Sequence, residues 1–230
     1  MTTETSVEID YPGSDGKPMA ETQLHIRSII SLYEQMLRFY SARDDVLVTV
    51  DLFWYWKEGN NRRRIAPDIM VIPGVSKEPP RRTYLSWKEG VVPAMVVEFA
   101  SQGTWRKDLG KKFNRYEKLG VKEYFIFDPE GLYLVPTLQG HRLRGRTYRR
   151  VFSDDGSLPT ELGFRLVPEG TILRMIDVKT GNRILTGSEQ AEEETRRAEH
   201  EKQRADHLQA EVANLKALLQ KYVPPTGNGS

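Results

Sequence analysis

The 230-residue sequence contains no cysteine, which removes disulfide staples, a thiolate nucleophile and cysteine-ligated zinc or iron–sulfur centres at once. Long apolar runs are missing too: nowhere do about 18 apolar residues follow one another, so no membrane-spanning helix is expected. The first 20 residues carry four acids and lack the apolar stretch of a signal peptide. Together these absences lead us to expect a cytoplasmic protein that does not engage a membrane. No phosphate-cradling glycine loop, dinucleotide fingerprint or serine nucleophile elbow occurs. Charge of one sign is also scarce, with a formal net of +2, far from the overall basicity of a dedicated nucleic-acid binder.

What is present is 38% hydrophobic, 10% aromatic and 29% charged, the composition of a globular protein with a packed core. The length suits one domain and an appendage. The small net charge conceals clustering. From residue 188 onward there are eight acids and six bases, leaving 28 bases against 24 acids before it. Arginines gather at Arg62 to Arg64, at Arg81 and Arg82, and at Arg142, Arg144, Arg146, Arg149 and Arg150. Such groups form either a local positive patch or the solvated face of a strand, and both readings stay open.

Residues 1–17 are polar and turn-rich, a flexible lead-in. From Pro18 to Tyr40, apolar residues recur every three or four positions, which predicts an amphipathic helix. Val46 to Trp56 and Ile65 to Ile72 are rich in β-branched and aromatic residues around the turn Glu58-Gly59-Asn60-Asn61, predicting a hairpin. Trp54, Tyr55 and Trp56 could stack on bases or belong to the core. Ala94 to Ala100 reads as a strand buried on both faces. Lys107 to Leu119 reads as a helix stopped by Gly120, and Tyr124 to Phe127 as another buried strand. Glycine-punctuated stretches from Leu132 to Ile184 predict added antiparallel hairpins. The domain therefore spans 18–187, followed by a charged helix over 188–222 and a disordered tail, 223–230. That helix has an apolar seam of Ala205, Leu208, Val212, Leu215, Leu219 and Tyr222, enough for a short coiled coil or for packing on its own domain.

Three charges fall where the local pattern favours apolar residues, and a buried charge is costly unless something meets it. Asp68 lies in Ile65-Ala66-Pro67-Asp68-Ile69-Met70-Val71-Ile72, and Glu98 closes an equally apolar run. Each could be structural, Asp68 as a strand-start residue and Glu98 in a buried salt bridge. Lys112 is more discriminating. At about 100° per residue with Leu109 at zero, Lys112 falls at about 300°, between Leu119 and Tyr116, while Lys111 points to the solvent side. A lysine stem packing while its ammonium reaches water is the bland account. Two carboxylates and a lysine are otherwise the parts of metal-dependent phosphodiester hydrolysis, since Mg²⁺ takes hard oxygen ligands and acidifies bound water.

Pro67-Asp68, Val96-Val97-Glu98-Phe99-Ala100-Ser101, Asp108 to Lys112 with Tyr116, and Gly120-Val121-Lys122-Glu123-Tyr124-Phe125-Ile126-Phe127-Asp128-Pro129 together resemble the Uma-two family of inferred endonucleases. That family is abundant in cyanobacteria and is assigned to the restriction-endonuclease-like superfamily with its PD-(D/E)XK site. The resemblance runs from about Thr22 to about Arg174 and implies an α/β core of helix, three strands, helix, strand. It implies a Mg²⁺ (or Mn²⁺) site made by Asp68, Glu98 and the Phe99 carbonyl, with Lys112 as the active-site lysine. Tyr116 and Glu123 are implied as supporting residues; His25, bordering the stripe of the first helix, could touch the site or be a satisfied structural histidine. The superfamily's lysine two positions after the glutamate is Ala100 here, and the expected Ser-Pro-Ser-Thr is Ser101-Gln102-Gly103-Thr104. The implied activity is DNA cleavage, and because a duplex has two strands, an enzyme with one site per subunit is expected to act as a homodimer; a nuclease fold that has lost activity and binds DNA or protein is the alternative.

Overall fold

The computed structural model describes residues 9–14, 16 and 22–222. The expected tail at 223–230 and residues 1–8 lie outside them. Two compact units result, Met1–Ile184 and Leu185–Ser230.

In the first unit, the helix α1 (Gln23–Phe39) precedes β1 (Val46–Val50), β2 (Trp54–Tyr55), β3 (Arg64–Ile65) and β4 (Ile69–Pro73). Then come β5 (Tyr84–Leu85), α2 (Ser86–Glu89), β6 (Met95–Phe99), and a helical run of α3 (Trp105–Lys107), a π-helical segment (Asp108–Lys112) and α4 (Phe113–Leu119). The strand β7 (Glu123–Phe127) follows, and after it β8 (Leu138–Arg144), β9 (Thr147–Val151), β10 (Leu158–Pro159), β11 (Phe164–Glu169) and β12 (Ile172–Asp177). A six-stranded sheet, ordered β1-β4-β6-β7-β8-β9, is flanked by the three-stranded sheets β10-β11-β12 and β3-β2-β5. This is an α/β core whose main sheet is entered by helix, three strands, helix and strand. The hairpin predicted over 46–72 is real but divided. Its outer part, β1 with β4, joins the main sheet, and its tip, β2 with β3, joins the small one. The break falls at Asp51, whose φ of 44° leaves extended geometry; aspartate tolerates that left-handed region better than most residues.

Within the main sheet β6 and β7 are the parallel pair, so their connection must cross a face of the sheet, and the α3–α4 run does so. Alternation then sorts side chains. Met95, Val97, Phe99, Phe125 and Phe127 join a core with Leu32 and Met36 of α1 and Leu166 and Met175. Val96, Tyr124, Ile126, Met70 and Ile72 join a second core with Trp54, Tyr84 and Tyr116. Burial on both faces is why these strands read as unbroken apolar runs. α1 is capped by Thr22, whose hydroxyl accepts from the His25 amide at 3.2 Å. Gly120, with φ of 84°, ends α4. Residues 9–14 lie against the small sheet: the Tyr11 ring meets Tyr55 and Trp87 at 5.2 Å, and Tyr55 donates to the Pro12 carbonyl at 2.8 Å.

The second unit is the helix α5 (Gly187–Tyr222). It opens with a reciprocal cap: Thr186 Oγ1 accepts from the Glu189 amide at 3.3 Å, and Glu189 Oε2 accepts from the Thr186 amide at 2.8 Å. Leu208, Val212, Leu215 and Leu219 on it are exposed. Among the described residues, no helix is long and apolar enough to cross a membrane.

Candidate functional site

The antiparallel register Ile69↔Val97 sets Asp68 opposite Glu98 as the two strands continue. Because Glu98 alternates with Phe99, it points to the α3–α4 face. There it is wholly buried. Its Oε2 accepts from Lys112 Nζ at 2.8 Å and from the Asp68 amide at 3.3 Å, and its Oε1 accepts from the Tyr116 hydroxyl at 2.5 Å. Asp68, half-buried, accepts the Phe99 amide on Oδ2 at 2.6 Å. Lys112 thus points inward, with 19% of its side chain exposed. Leu109, the reference of the helical wheel, is itself 37% exposed. The inward stripe is instead Asp108, Lys112 and Tyr116, one helical turn apart each.

Asp108 was not singled out by the sequence, yet it completes the cluster. Its carboxylate is fully buried, with Oδ1 3.0 Å from Lys112 Nζ. At that separation the ammonium attracts the carboxylate within the same helical turn. The π-helical turn running from Asp108 to Lys112 widens the backbone between the two residues, and such turns recur at functional sites. The available signal was the four-residue spacing to Lys112.

Three carboxylates facing one ammonium leave negative charge in excess where water is scarce. Burial pushes Asp68 up to about 6, Glu98 to about 7 and Asp108 to about 6, in each case against the pull of Lys112. Burial alone would lower Lys112, but Glu98, Asp68 and Asp108 outweigh it and raise the lysine above its ordinary value. Tyr116 is raised by burial and by Glu98, so it stays a donor. Among the described residues, no three His, Asp or Glu side chains form a ready-made cation cage. The donor set, two hard carboxylates at a strand edge with surplus negative charge, nevertheless fits Mg²⁺, which completes its shell with water and phosphate oxygens.

The remaining sequence candidates fall elsewhere. His25 is buried on α1, its ring edge-to-face with Phe99 at 6.2 Å, on the opposite face of the sheet from Glu98. Glu123 is at the far end of β7, paired with Arg142 at 2.8 Å and accepting the Glu161 amide on both oxygens at 3.0 Å. Arg142 and Arg144 are also tied to Glu161, at 3.4 and 3.1 Å, so part of that arginine cluster is structural. Trp54 and Tyr55 are fully buried, which excludes them as base-stacking platforms; the Trp54 ring lies parallel to Tyr116 instead.

A family model described as "Uma2: Putative restriction endonuclease" matches residues 3–169. Among solved structures, the chain is similar to a putative nuclease belonging to DUF820 from Anabaena variabilis ATCC 29413. That match has a TM-score of 0.46 and 15% sequence identity, and covers 65% of this chain and 80% of that one. No curated protein matches the chain.

Proposed function

The chain belongs to the Uma2 family, and from that membership together with the carboxylate–lysine cluster we propose a Mg²⁺-dependent endonuclease that hydrolyses DNA phosphodiester bonds. The observation that carries this reading is the convergence on Glu98 Oε2 of Lys112 Nζ at 2.8 Å and the Asp68 strand at 3.3 Å. A purely structural ion-pair network explains it less well, since one ammonium does not balance three carboxylates.

Asp68, Glu98 and the main-chain carbonyl of Phe99 are the groups that would hold Mg²⁺, or Mn²⁺ in its place. When bound, such a cation acidifies a water and offsets charge growing on the phosphate. The other work belongs to the chain. The Phe99 amide fixes Asp68 Oδ2, and the Tyr116 hydroxyl fixes Glu98 Oε1, so neither carboxylate swings. Lys112 is held as an ammonium by its carboxylate neighbours. It therefore acts as donor and positive charge toward the phosphate in the transition state, rather than as a base. Asp108 steadies Lys112 from within the same helix. The apolar seam of α5 is the device we assign to pairing two copies, which would offer one site to each strand of a duplex.

Incubation of the full chain with plasmid and with single-stranded DNA tests the reading. Mg²⁺ or Mn²⁺ supports cleavage and Ca²⁺, with its looser geometry, supports little. Undiminished cleavage in excess chelator overturns the metal-dependent reading. Nucleic-acid binding without cleavage under any of these metals favours the inactive-fold alternative.

A further inference from the structure

One residue before each member of the inward stripe stands a cation: Lys107 before Asp108, Lys111 before Lys112, and Arg115 before Tyr116. With Lys118 they recur at four, four and three residues, so they share one face of the α3–α4 run. Lys107, Lys111 and Lys118 are exposed and Arg115 is half-buried. The two acids of this run are engaged elsewhere. Asp108 is turned inward to Lys112 at 3.0 Å, and Glu117 accepts the Tyr148 amide at 2.7 Å. Among the described residues, none of the four cations makes an ion pair, whereas Arg142 and Arg144 of the β8–β9 hairpin do.

The stripe also has fixed points. The Arg115 guanidinium lies over the Trp56 ring at 4.8 Å, and that of neighbouring Arg106 over Trp105 at 4.4 Å. Trp105 in turn stacks on Tyr133 at 6.2 Å. An arginine laid on a ring keeps its outward N–H groups available while losing rotamer freedom, which lowers the entropy lost when it grips an anion.

We propose that this face of the α3–α4 run seats the sugar–phosphate backbone of duplex DNA, with Lys107, Lys111, Arg115 and Lys118 as phosphate contacts. The proposal rests on the nuclease reading for its substrate but not for its geometry. A backbone on this stripe lies one residue's rotation from Lys112, so the surface that holds the strand and the lysine that faces Glu98 belong to one rigid element. Contacts of this kind carry no base readout; they set register and supply salt-dependent affinity.

Binding of the metal-free full chain to a fluorescein-labelled duplex, followed by anisotropy over a salt series, tests it. Lys107→Ala/Lys111→Ala alters exposed side chains that have no ion-pair partner among the described residues and leaves folding intact, which circular dichroism checks. We expect weaker binding and a plot of log K against log salt shallower by about 1.8, at about 0.9 per lost phosphate contact. Adding Arg115→Ala weakens binding further. Arg149→Ala, an exposed cation on the opposite face of the edge strand, leaves the slope unchanged. An unaltered slope in the double lysine variant, a loss matched by Arg149→Ala, or no duplex binding by the parent chain overturns the proposal. Cleavage is read separately. A parent that cuts while the lysine variant binds normally sinks this inference and spares the catalytic reading. A parent that cuts nothing, with binding lost in the lysine variant, does the reverse.

Discussion

Asp68 and Glu98 brace one another across two strands: the amide following Glu98 donates to Asp68 Oδ2 at 2.6 Å, and the amide of Asp68 donates to Glu98 Oε2 at 3.3 Å. Each carboxylate is thus positioned by the backbone that carries the other. Removing one side chain leaves a main-chain donor near the site without its acceptor, so stability and activity can be separated by the choice of substitution.

Asp68→Asn keeps an oxygen for the Phe99 amide and Asp68→Ala does not. We expect both to be inactive and to lose metal affinity, with the asparagine variant the more stable by about 1–3 kcal/mol, the cost of an unsatisfied donor. Urea unfolding with chelator present measures the difference. Equal stabilities would show that the amide finds another partner.

Lys112→Ala and Lys111→Ala separate the inward face from the outward one. Lys112→Ala lowers kcat on the order of a hundredfold or more. It also destabilises the metal-free protein by about 3–5 kcal/mol, because Glu98 and Asp108 lose their counter-charge. Lys111→Ala raises KM and leaves kcat near the parent value. Harmless replacement of Lys112 would discard the assignment of its face.

Stability of the metal-free protein should fall as pH rises from about 4.5 to about 7. Glu98 stands at about 7 when folded, against an ordinary 4.5, so the folded chain holds its proton longer than the unfolded chain does. Wherever the folded state binds more protons, stability declines with rising pH. Asp68 and Asp108, both at about 6, act in the same direction. His141, lowered by burial, opposes them in part of this window, so the informative quantity is the difference on Glu98→Gln. Unfolding curves at pH 5 and pH 8 should lie closer together in that variant, and Mg²⁺ should stabilise the parent more at pH 8. A parent and variant with the same pH profile would remove Glu98 as the cause.

Removal of residues 187–230 should weaken self-association while leaving Mg²⁺ binding intact, since the excised helix carries none of Asp68, Glu98 or Lys112. Leu208 and Leu219 on it are 51% and 64% exposed, surface that a second copy could cover. Sedimentation at several concentrations distinguishes the two chains. The same mass for both would assign any pairing to the first unit.

Much of the main sheet was readable because its strands are buried on both faces and its crossover helix ends at a glycine. The predicted Ala94–Ala100 and Tyr124–Phe127 runs differ from Met95–Phe99 and Glu123–Phe127 only at their ends. Side-chain direction was harder. Glu123 lies three residues before Ile126, the partner of Glu98 in the ladder, and that odd separation sends the two glutamates to opposite faces. Such parity depends on register, which a single sequence does not supply. Lys112 was placed correctly from a regular wheel whose reference, Leu109, faces outward. Asp108 was passed over because that wheel centred the buried stripe on Leu109. The π-helical turn between Asp108 and Lys112 has no hydrophobic signature that would announce it.

The crossover from β6 to β7 has one more consequence, for the newborn chain. Asp68 and Glu98 are 30 residues apart, and Glu98 and Lys112 14. Asp108, Lys112 and Tyr116 are neighbours along one helical run, but the two strand carboxylates they meet are not, so the cluster has no local precursor. Contacts of this kind form late, once loop closure has been overcome. A chain still being synthesised, or one clipped before Trp105, carries both strand carboxylates without the helical run that brings the lysine to them. Assembly of the carboxylate–lysine cluster is therefore gated by completion of the topology, and a fragment that ends before the crossover helix lacks it.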